Sequence, residues 1–250
     1  DDLESWHPAT PDIVTVNFVP SEDVSEMVRY EIAITSGNQL DVVTKSYLVE
    51  PGVSPIVVTY NNIEFVDRQY YYLRVRGINN AGMWSIPYYS DGFRIDNTPP
   101  DQVIMVEDEG KYASRNTEVG FTWTDSYDHE PIYGSGILGY KIELVASEDD
   151  SVISENFVTT TNYLFTGLDP TKYEQGKSYY AKVYAQNGSR LFSLPQQSDG
   201  ITKDMTQPIQ NPVIFQVGDG KYSTFNTTLD VSWNAGVDPD SDINNYQIQI

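Results

Sequence analysis

Tyr179-Tyr180-Ala181-Lys182-Val183-Tyr184-Ala185 alternates along its whole length. Successive side chains of a β-strand point to opposite faces, so positions 179, 181, 183 and 185 share one face and 180, 182 and 184 the other. The first set is aromatic or small and apolar, and the second carries Lys182. The inward face is therefore Tyr179, Ala181, Val183 and Ala185. The same stretch stands 108 residues earlier, with Tyr71, Leu73, Val75 and Gly77 inward and Arg74 and Arg76 outward.

The repetition spreads outward from these strands. Tyr71-Tyr72, Pro87, Ser90-Asp91-Gly92, Asp96, Thr98 and Pro100 return as Tyr179-Tyr180, Pro195, Ser198-Asp199-Gly200, Asp204, Thr206 and Pro208. Gly110-Lys111-Tyr112 through Phe121-Thr122-Trp123 returns as Gly220-Lys221-Tyr222 through Val231-Ser232-Trp233, 110 residues later. A period near 108 is too long for a solenoid unit and suits one whole β-sandwich. Short strand-like runs broken by turn residues, with no window of helical periodicity, predict an all-β chain. The expected strands cover 13–18, 28–35, 41–47, 56–60, 70–78 and 88–95 in the first unit. In the second they cover 102–106, 118–123, 138–146, 152–158, 163–166, 179–186 and 200–203. The third supplies only 213–217, 228–233 and 243–250. The units are therefore 1–96, whose first strand is short, 97–205, and 206–250, the front part of a third sandwich.

Tyr71-x-Leu73-Arg74-Val75-x-Gly77-x-Asn79-x-Ala81-Gly82, and its copy Tyr179-x-Ala181-Lys182-Val183-x-Ala185-x-Asn187-Gly188, resemble the penultimate strand and following turn of a fibronectin type III domain. Trp123 and Trp233 resemble the core tryptophan of that family, with Phe18 in its place in the first unit. Asp96-Asn97-Thr98-Pro99-Pro100 resembles the junction that opens the next domain in bacterial and archaeal tandem arrays. Ser135-Gly136-Ile137-x-x-Tyr140, echoed by Ser241-Asp242-Ile243-x-x-Tyr246, resembles those arrays as well. The resemblance implies tandem immunoglobulin-like (fibronectin type III) β-sandwiches joined by short proline-containing linkers, in a prokaryotic surface or secreted protein. It implies tyrosine corners at Tyr71 and Tyr179, each hydroxyl bonding backbone a few residues upstream. It implies little about function, because this fold hosts many roles.

Charge narrows the partners. The net charge is −21, and acids exceed bases 14 to 6 in residues 1–96, 17 to 8 in 97–204 and 5 to 1 in 205–250. Acidity spread over every unit argues against nucleic acid and anionic membrane, both of which reward clustered Lys and Arg. The absence of cysteine removes disulfides, thiol catalysis and cysteine-ligated zinc. No run of 18 apolar residues offers a membrane span. The opening Asp1-Asp2-Leu3, without Met or a basic-then-apolar leader, reads as a mature or excised segment.

Few residues carry candidate chemistry. His7 and His129 stand alone, without the positioned partners that a catalytic base needs. The alternating carboxylates of Asp238-Pro239-Asp240-Ser241-Asp242 could converge on Ca2+, which takes 6–8 oxygens. Asp238, Asp240 and Asp242 are thus the candidate metal ligands, although the turn glycine and closing Glu of an EF-hand loop are missing. Asp and Pro also serve turns for backbone reasons alone. The junctions at 96–101 and 204–208 could gather oxygens too, but closely spaced prolines act first as stiffeners. Glu107-Asp108-Glu109 and Glu148-Asp149-Asp150 read as solvated turn tips. Trp84, aligned with Phe192, sits at a loop tip and reads as folding back over the sheet edge.

These observations converge on one expectation. The chain is a non-catalytic structural or interaction module of an extracellular or cell-surface protein, acting as scaffold, filament, surface-layer or adhesion component. Its partners would be further copies of itself or other surface proteins, with no cofactor unless Ca2+. The alternative is an accessory region of a secreted polysaccharide-degrading enzyme.

Overall fold

Val, Ile and Tyr at alternate positions favour the pleated, half-buried strand, and every regular element among the described residues is one. The structure, a computed structural model, describes residues 5–7, 13–19, 24–37, 47–49, 56–61, 63–128, 134–211, 213–214 and 232–249. The first repeat contains β1 (Ser5–His7), β2 (Ile13–Phe18), β3 (Met27–Ser36), β4 (Tyr47–Val49), β5 (Ile56–Asn61), β6 (Tyr70–Asn79), β7 (Tyr88–Tyr89) and β8 (Phe93–Ile95). One sheet runs β1-β8-β6-β3-β4 with β7 also on β6, and β2 pairs β5 in another. β1 lies parallel to β8.

The second repeat follows the same plan. It contains β9 (Val106–Asp108), β10 (Tyr112–Ala113), β11 (Val119–Trp123), β12 (Ile137–Ala146), β13 (Val152–Val158), β14 (Asn162–Phe165), β15 (Ser178–Asn187), β16 (Gln196–Gln197) and β17 (Ile201–Lys203). One sheet runs β10-β17-β15-β12-β13 with β16 on β15, and the other runs β14-β11-β9. β10 is again parallel to β17. The two sheets close on one core, in which Val119, Phe121 and Trp123 of β11 pack with Tyr140, Ile142 and Leu144 of β12 and the inward residues of β15. This is a β-sandwich. Tyr179, Ala181, Val183 and Ala185 are all buried, as the alternation predicts. In the first repeat Tyr71 and Gly77 are buried, while Leu73 and Val75 are only half-buried. Beyond it, β18 (Val213–Ile214) pairs β19 (Ser232–Trp233).

Two aromatic devices recur. The Tyr71 hydroxyl accepts the Val66 N–H at 2.8 Å. Its copy on Tyr179 accepts the Glu174 N–H at 2.6 Å and donates to the Lys172 carbonyl at 2.9 Å. Both tyrosine corners are present. The second device pairs the aromatic that ends one strand with a tyrosine of the next segment. Phe18 meets Tyr30 edge-on at 5.2 Å, Trp123 meets Tyr140 at 5.7 Å, and Trp233 meets Tyr246 at 5.6 Å. Tyr140 then accepts the Ser126 N–H and Tyr246 the Gly236 N–H, at 3.1 and 2.8 Å.

Around Pro87 and Pro195, which cannot donate, serine side chains supplement the short ladders that β7 and β16 make with β6 and β15. Ser85 and Ser90 hydroxyls accept the N–H groups of Gly77 and Leu73. Ser193 and Ser198 do the same for Ala185 and Ala181.

Several expectations need correction. The run at 88–95 breaks into β7 and β8 at Gly92, whose φ is +96°; a Cβ there would lie 2.8 Å from the Tyr72 ring. Residues 102–105 are not regular strand, and pairing begins at Val106. Of the third unit's run at 243–250, residues 243–249 form no strand and pair with no strand among the described residues. Trp233 is half-buried, whereas Trp123 is 7% exposed. The expected strand residues 41–46, 215–217 and 228–231 lie outside the described residues.

Candidate functional site: the domain junctions

Asp96 follows β8, the last strand of the first repeat, and its carboxylate is 3% exposed. Burying a carboxylate costs several kcal/mol unless hydrogen bonds replace the lost water. Here they come mostly from the second repeat. Asp96 Oδ2 accepts the Ser135 N–H at 2.9 Å and the Asn187 side-chain amide at 3.1 Å, while Oδ1 accepts the Thr98 N–H at 3.0 Å. The same Asn187 amide donates to the Thr98 carbonyl at 2.9 Å and to Asp128 Oδ1 at 3.4 Å. Ser135 Oγ donates to Asp128 Oδ2 at 3.1 Å. From the first repeat, Asp67 accepts the Asn97 N–H at 2.8 Å. The loop before β12 and the last residue of β15 thus grip the end of the preceding sandwich.

The second junction is built on the same positions. The Asp204 carboxylate accepts the Thr206 N–H at 2.9 Å, as Asp96 does with Thr98. Gln175 stands where Asp67 stands in the first repeat. Its carbonyl accepts the Met205 N–H at 2.8 Å, and its amide reaches Asp204, Thr206 Oγ1 and Asp240 Oδ2 at 3.2, 3.0 and 2.9 Å. Thr206 Oγ1 also donates to Asp240 Oδ2 at 2.6 Å. Each junction therefore joins an Asp, a Thr two residues on, and an acidic loop of the next unit.

The electrostatics differ between the two. Burial, and then the charge of Asp96, push the Asp128 carboxyl above its ordinary value, against the opposing bonds from Asn187 and Ser135. Asp204 is held below its ordinary value, chiefly by a bond from the Ser241 hydroxyl, with desolvation opposing it and the Thr206 and Gln175 amides adding to it. The first junction holds two carboxylates bridged by one amide, and the second relieves its crowding with Gln175.

The candidate metal residues occupy this second junction. Asp238 Oδ1 accepts the N–H groups of Asp240 and Ser241 at 3.0 and 2.9 Å, a turn-closing role. Asp240 is taken up by Gln175 and Thr206, and Asp242 is exposed. Among the described residues no group of three or more His, Cys, Asp or Glu side chains is placed to hold a metal ion. His129 lies outside the described residues, and of His7 only the backbone is described. The acidic tips serve as turn caps: Asp108 and Asp149 accept the N–H groups of Gly110 and Ser151. Trp84 bridges to Ile78 and lies under the Arg76 guanidinium, 4.4 Å from its ring centroid, so it folds back on the sheet while staying 42% exposed.

A concavity of about 650 Å3 opens beside the second junction, lined by Glu148, Asp149, Thr171, Lys172, Glu174 and Lys177 among others. Its Lys177 and Glu148 pair with each other at the surface, and Asp169 beside it is held low by the Thr171 amide and hydroxyl. No buried acid or base is presented there. Asn187, Ser135 and Gln175 were not legible as site residues from the sequence; the repeated Asp96/Asp204, Thr98/Thr206 and Ser135/Ser241 positions were the available signal.

No protein-family model matches the chain, and no curated protein is similar to it. Solved structures are. The FN1–FN3 domains of chicken CNTN1 share 16% identity over 81% of this chain and 65% of that one, with a TM-score of 0.48. The fibronectin(III)-like modules of Clostridium thermocellum CbhA share 14% identity over 81% and 90%, at 0.46. A stretch of titin domains shares 18% identity over 80% and 62%, at 0.49. The chain thus spans about two thirds or less of the CNTN1 and titin fragments. The sandwich fold stands on the sheets and tyrosine corners of the chain itself.

Proposed function

We propose that the chain is a non-catalytic spacer or scaffold segment of an extracellular or cell-surface protein, with units at 1–96, 97–205 and 206–250 that present protein-binding surfaces at fixed spacing. The observation that carries this reading is the recurrence of one polar joint: Asp96 with Thr98, Asn187 and Ser135, then Asp204 with Thr206, Gln175 and Asp240. A flexible tether needs no such joint, since a solvated linker already permits every orientation. A joint rebuilt at each boundary serves a chain whose geometry is its output. The even acidity keeps such a chain soluble and leaves its partners among proteins rather than nucleic acids or anionic lipid. Loops that cap their own turns leave sheet edges and loop tips as contact surfaces, toward further copies or other surface proteins.

Small-angle scattering tests it. The chain should give one extended distance distribution that broadens when Asp96 and Asn187 are both replaced by Ala. An unchanged distribution in that variant, or a wild-type chain that already samples all orientations, overturns the reading.

A further inference from the structure

Asn187 is followed by Gly188, and this is the only Asn-Gly pair in the 250 residues. Packing alone demands the glycine, because a Cβ at 188 would lie 2.6 Å from the Ser135 carbonyl oxygen. The same lack of a side chain leaves the Gly188 nitrogen unhindered beside the Asn187 carboxamide. In a mobile chain such a nitrogen attacks the side-chain carbonyl carbon of the asparagine before it. The new N–Cγ bond closes a succinimide, the Cγ–Nδ2 bond breaks, and ammonia leaves with the proton of the backbone amide. Water then opens the ring at either of its two carbonyls and gives aspartate or isoaspartate. At the matching position of the first repeat stands Asn79-Asn80, where a side chain crowds the nitrogen.

The closed joint ties down both partners of this reaction. Asn187 Nδ2 donates to Asp96 Oδ2, the Thr98 carbonyl and Asp128 Oδ1, and Oδ1 accepts the Leu191 N–H. The Gly188 N–H is given to the Gly136 carbonyl at 2.8 Å, and the Ser189 N–H to Ser135 Oγ at 3.0 Å. The carboxamide cannot turn onto the Gly188 nitrogen without breaking these bonds. Asn187 is also fully buried, away from the water that the second step consumes.

We propose that Asn187-Gly188 is a self-modification site guarded by the closed joint, and that its deamidation opens the joint irreversibly. The product replaces the one donor shared by Asp96 and Asp128 with a third negative charge beside them. Carboxylates at that range repel, and buried ones lose hydration without gaining a partner. Isoaspartate also adds a methylene to the main chain at the end of β15. The span between the first two sandwiches then passes from stiff to loose in one direction only.

The test incubates the full 250-residue chain at mildly alkaline pH, folded in buffer and unfolded in urea. Peptide mass spectrometry follows Asn187 and separates aspartate from isoaspartate. Conversion should be slower by about tenfold or more in the folded chain, since it proceeds only from the opened joint. Asp96→Ala should speed conversion several-fold in buffer. Asn187→Asp, made directly, should speed amide exchange of Thr98 and Ser135, whose N–H groups the Asp96 carboxylate holds, while the amides of β12 and β15 stay protected. Equal conversion in the folded and unfolded chain overturns the proposal, whatever the variants do. So does an Asp96→Ala chain no faster than the wild type, or unchanged exchange in Asn187→Asp. A chain that scatters as one extended body yet converts as fast folded as unfolded removes the guarded site and leaves the spacer. A chain that samples all orientations yet protects Asn187 removes the spacer and leaves the guarded site.

Discussion

The side-chain amide of Asn187 donates to the carboxylate of Asp96 over 3.1 Å, although 91 residues separate the two in sequence. That bond ties the last carboxylate of one sandwich to the final residue of β15 in the next. Asn187 is fully buried, and its own carbonyl accepts the Leu191 N–H at 2.9 Å. Its amide is thereby aimed by the turn before any partner arrives. Replacing Asn187 by Ala leaves Asp96 and the Leu191 N–H each short of a partner. The expected cost is about 1–3 kcal/mol in the unfolding of the second repeat, because Asp96 keeps the Ser135 and Thr98 bonds and the half-buried Leu191 N–H can turn to water. Denaturant unfolding followed by tryptophan fluorescence measures it, and a loss below half a kcal/mol would mean that the bond is dispensable.

The carboxyl of Asp128 predicts a pH dependence. Its folded value is raised above the ordinary 3.8 by burial and by Asp96. The folded chain then binds this proton more tightly than the unfolded one. The resulting stabilisation is complete below 3.8 and is lost as pH rises through the folded value. Asp128→Asn removes the charge and keeps an acceptor for Ser135 or Asn187. The variant should match the wild type in acid and gain on it as pH rises through that window. Parallel stability curves across the window would show that the pair carries no charge strain.

Trp123 and the tyrosine corners test the core. Trp123→Ala should cost about 3–5 kcal/mol, as for other large buried aromatics. Tyr179→Phe removes two hydrogen bonds and Tyr71→Phe removes the one to Val66. The former should cost about 1–3 kcal/mol and the latter about 0.5–1.5. Urea midpoints of the three variants, with unchanged slopes, check the order.

Much of this was legible because a repeat doubles every local signal. The alternation in 179–185 fixes which side chains are buried, since the strand period is two and one face meets the core. Tyr71 and Tyr179 were readable for the same reason. The joints were less so: Asn187 is the last residue of β15, past the alternating stretch 179–185, and its contact with Asp96 depends on how two sandwiches meet. Lys203 shows the limit well. It aligns with the buried Ile95 and is itself buried, its ammonium donating to the carbonyls of Asn116 and Tyr173 at 2.8 Å each, and burial lowers its pKa. Nothing in an alternating pattern announces a lysine that turns inward to carbonyl oxygens.

Metal removal bears on the acidic loop of the second junction. The oxygens of Asp238 and Asp240 are engaged by backbone N–H groups, Gln175 and Thr206. Chelation with EDTA, followed by return of Ca2+ at millimolar concentration, should leave the melting temperature unchanged within a degree or so, since a ligand stabilises only by preferring the folded form. A rise of several degrees with Ca2+, abolished in Asp240→Asn, would identify Asp238, Asp240 and Asp242 as ligands.

Gln175 supplies the sharpest contrast between the joints. It accepts the Met205 N–H, as Asp67 accepts that of Asn97, but only Gln175 also donates, to Asp204, Thr206 and Asp240. Gln175→Glu keeps the acceptor, deletes the donor and adds a third carboxylate beside two others. Gln175→Ala deletes both without adding charge. The Glu variant should therefore open the second junction more than the Ala variant, by about 1 kcal/mol at low salt, the scale of exposed charge pairs. That excess should shrink as ionic strength rises and the Debye length falls below the carboxylate spacing. Limited proteolysis at Met205–Thr206 reads the opening directly: cleavage should be fastest in Gln175→Glu at low salt and should converge on Gln175→Ala at high salt. Equal cleavage of the two variants at low salt would remove charge crowding from the account and leave the lost hydrogen bonds as the whole effect.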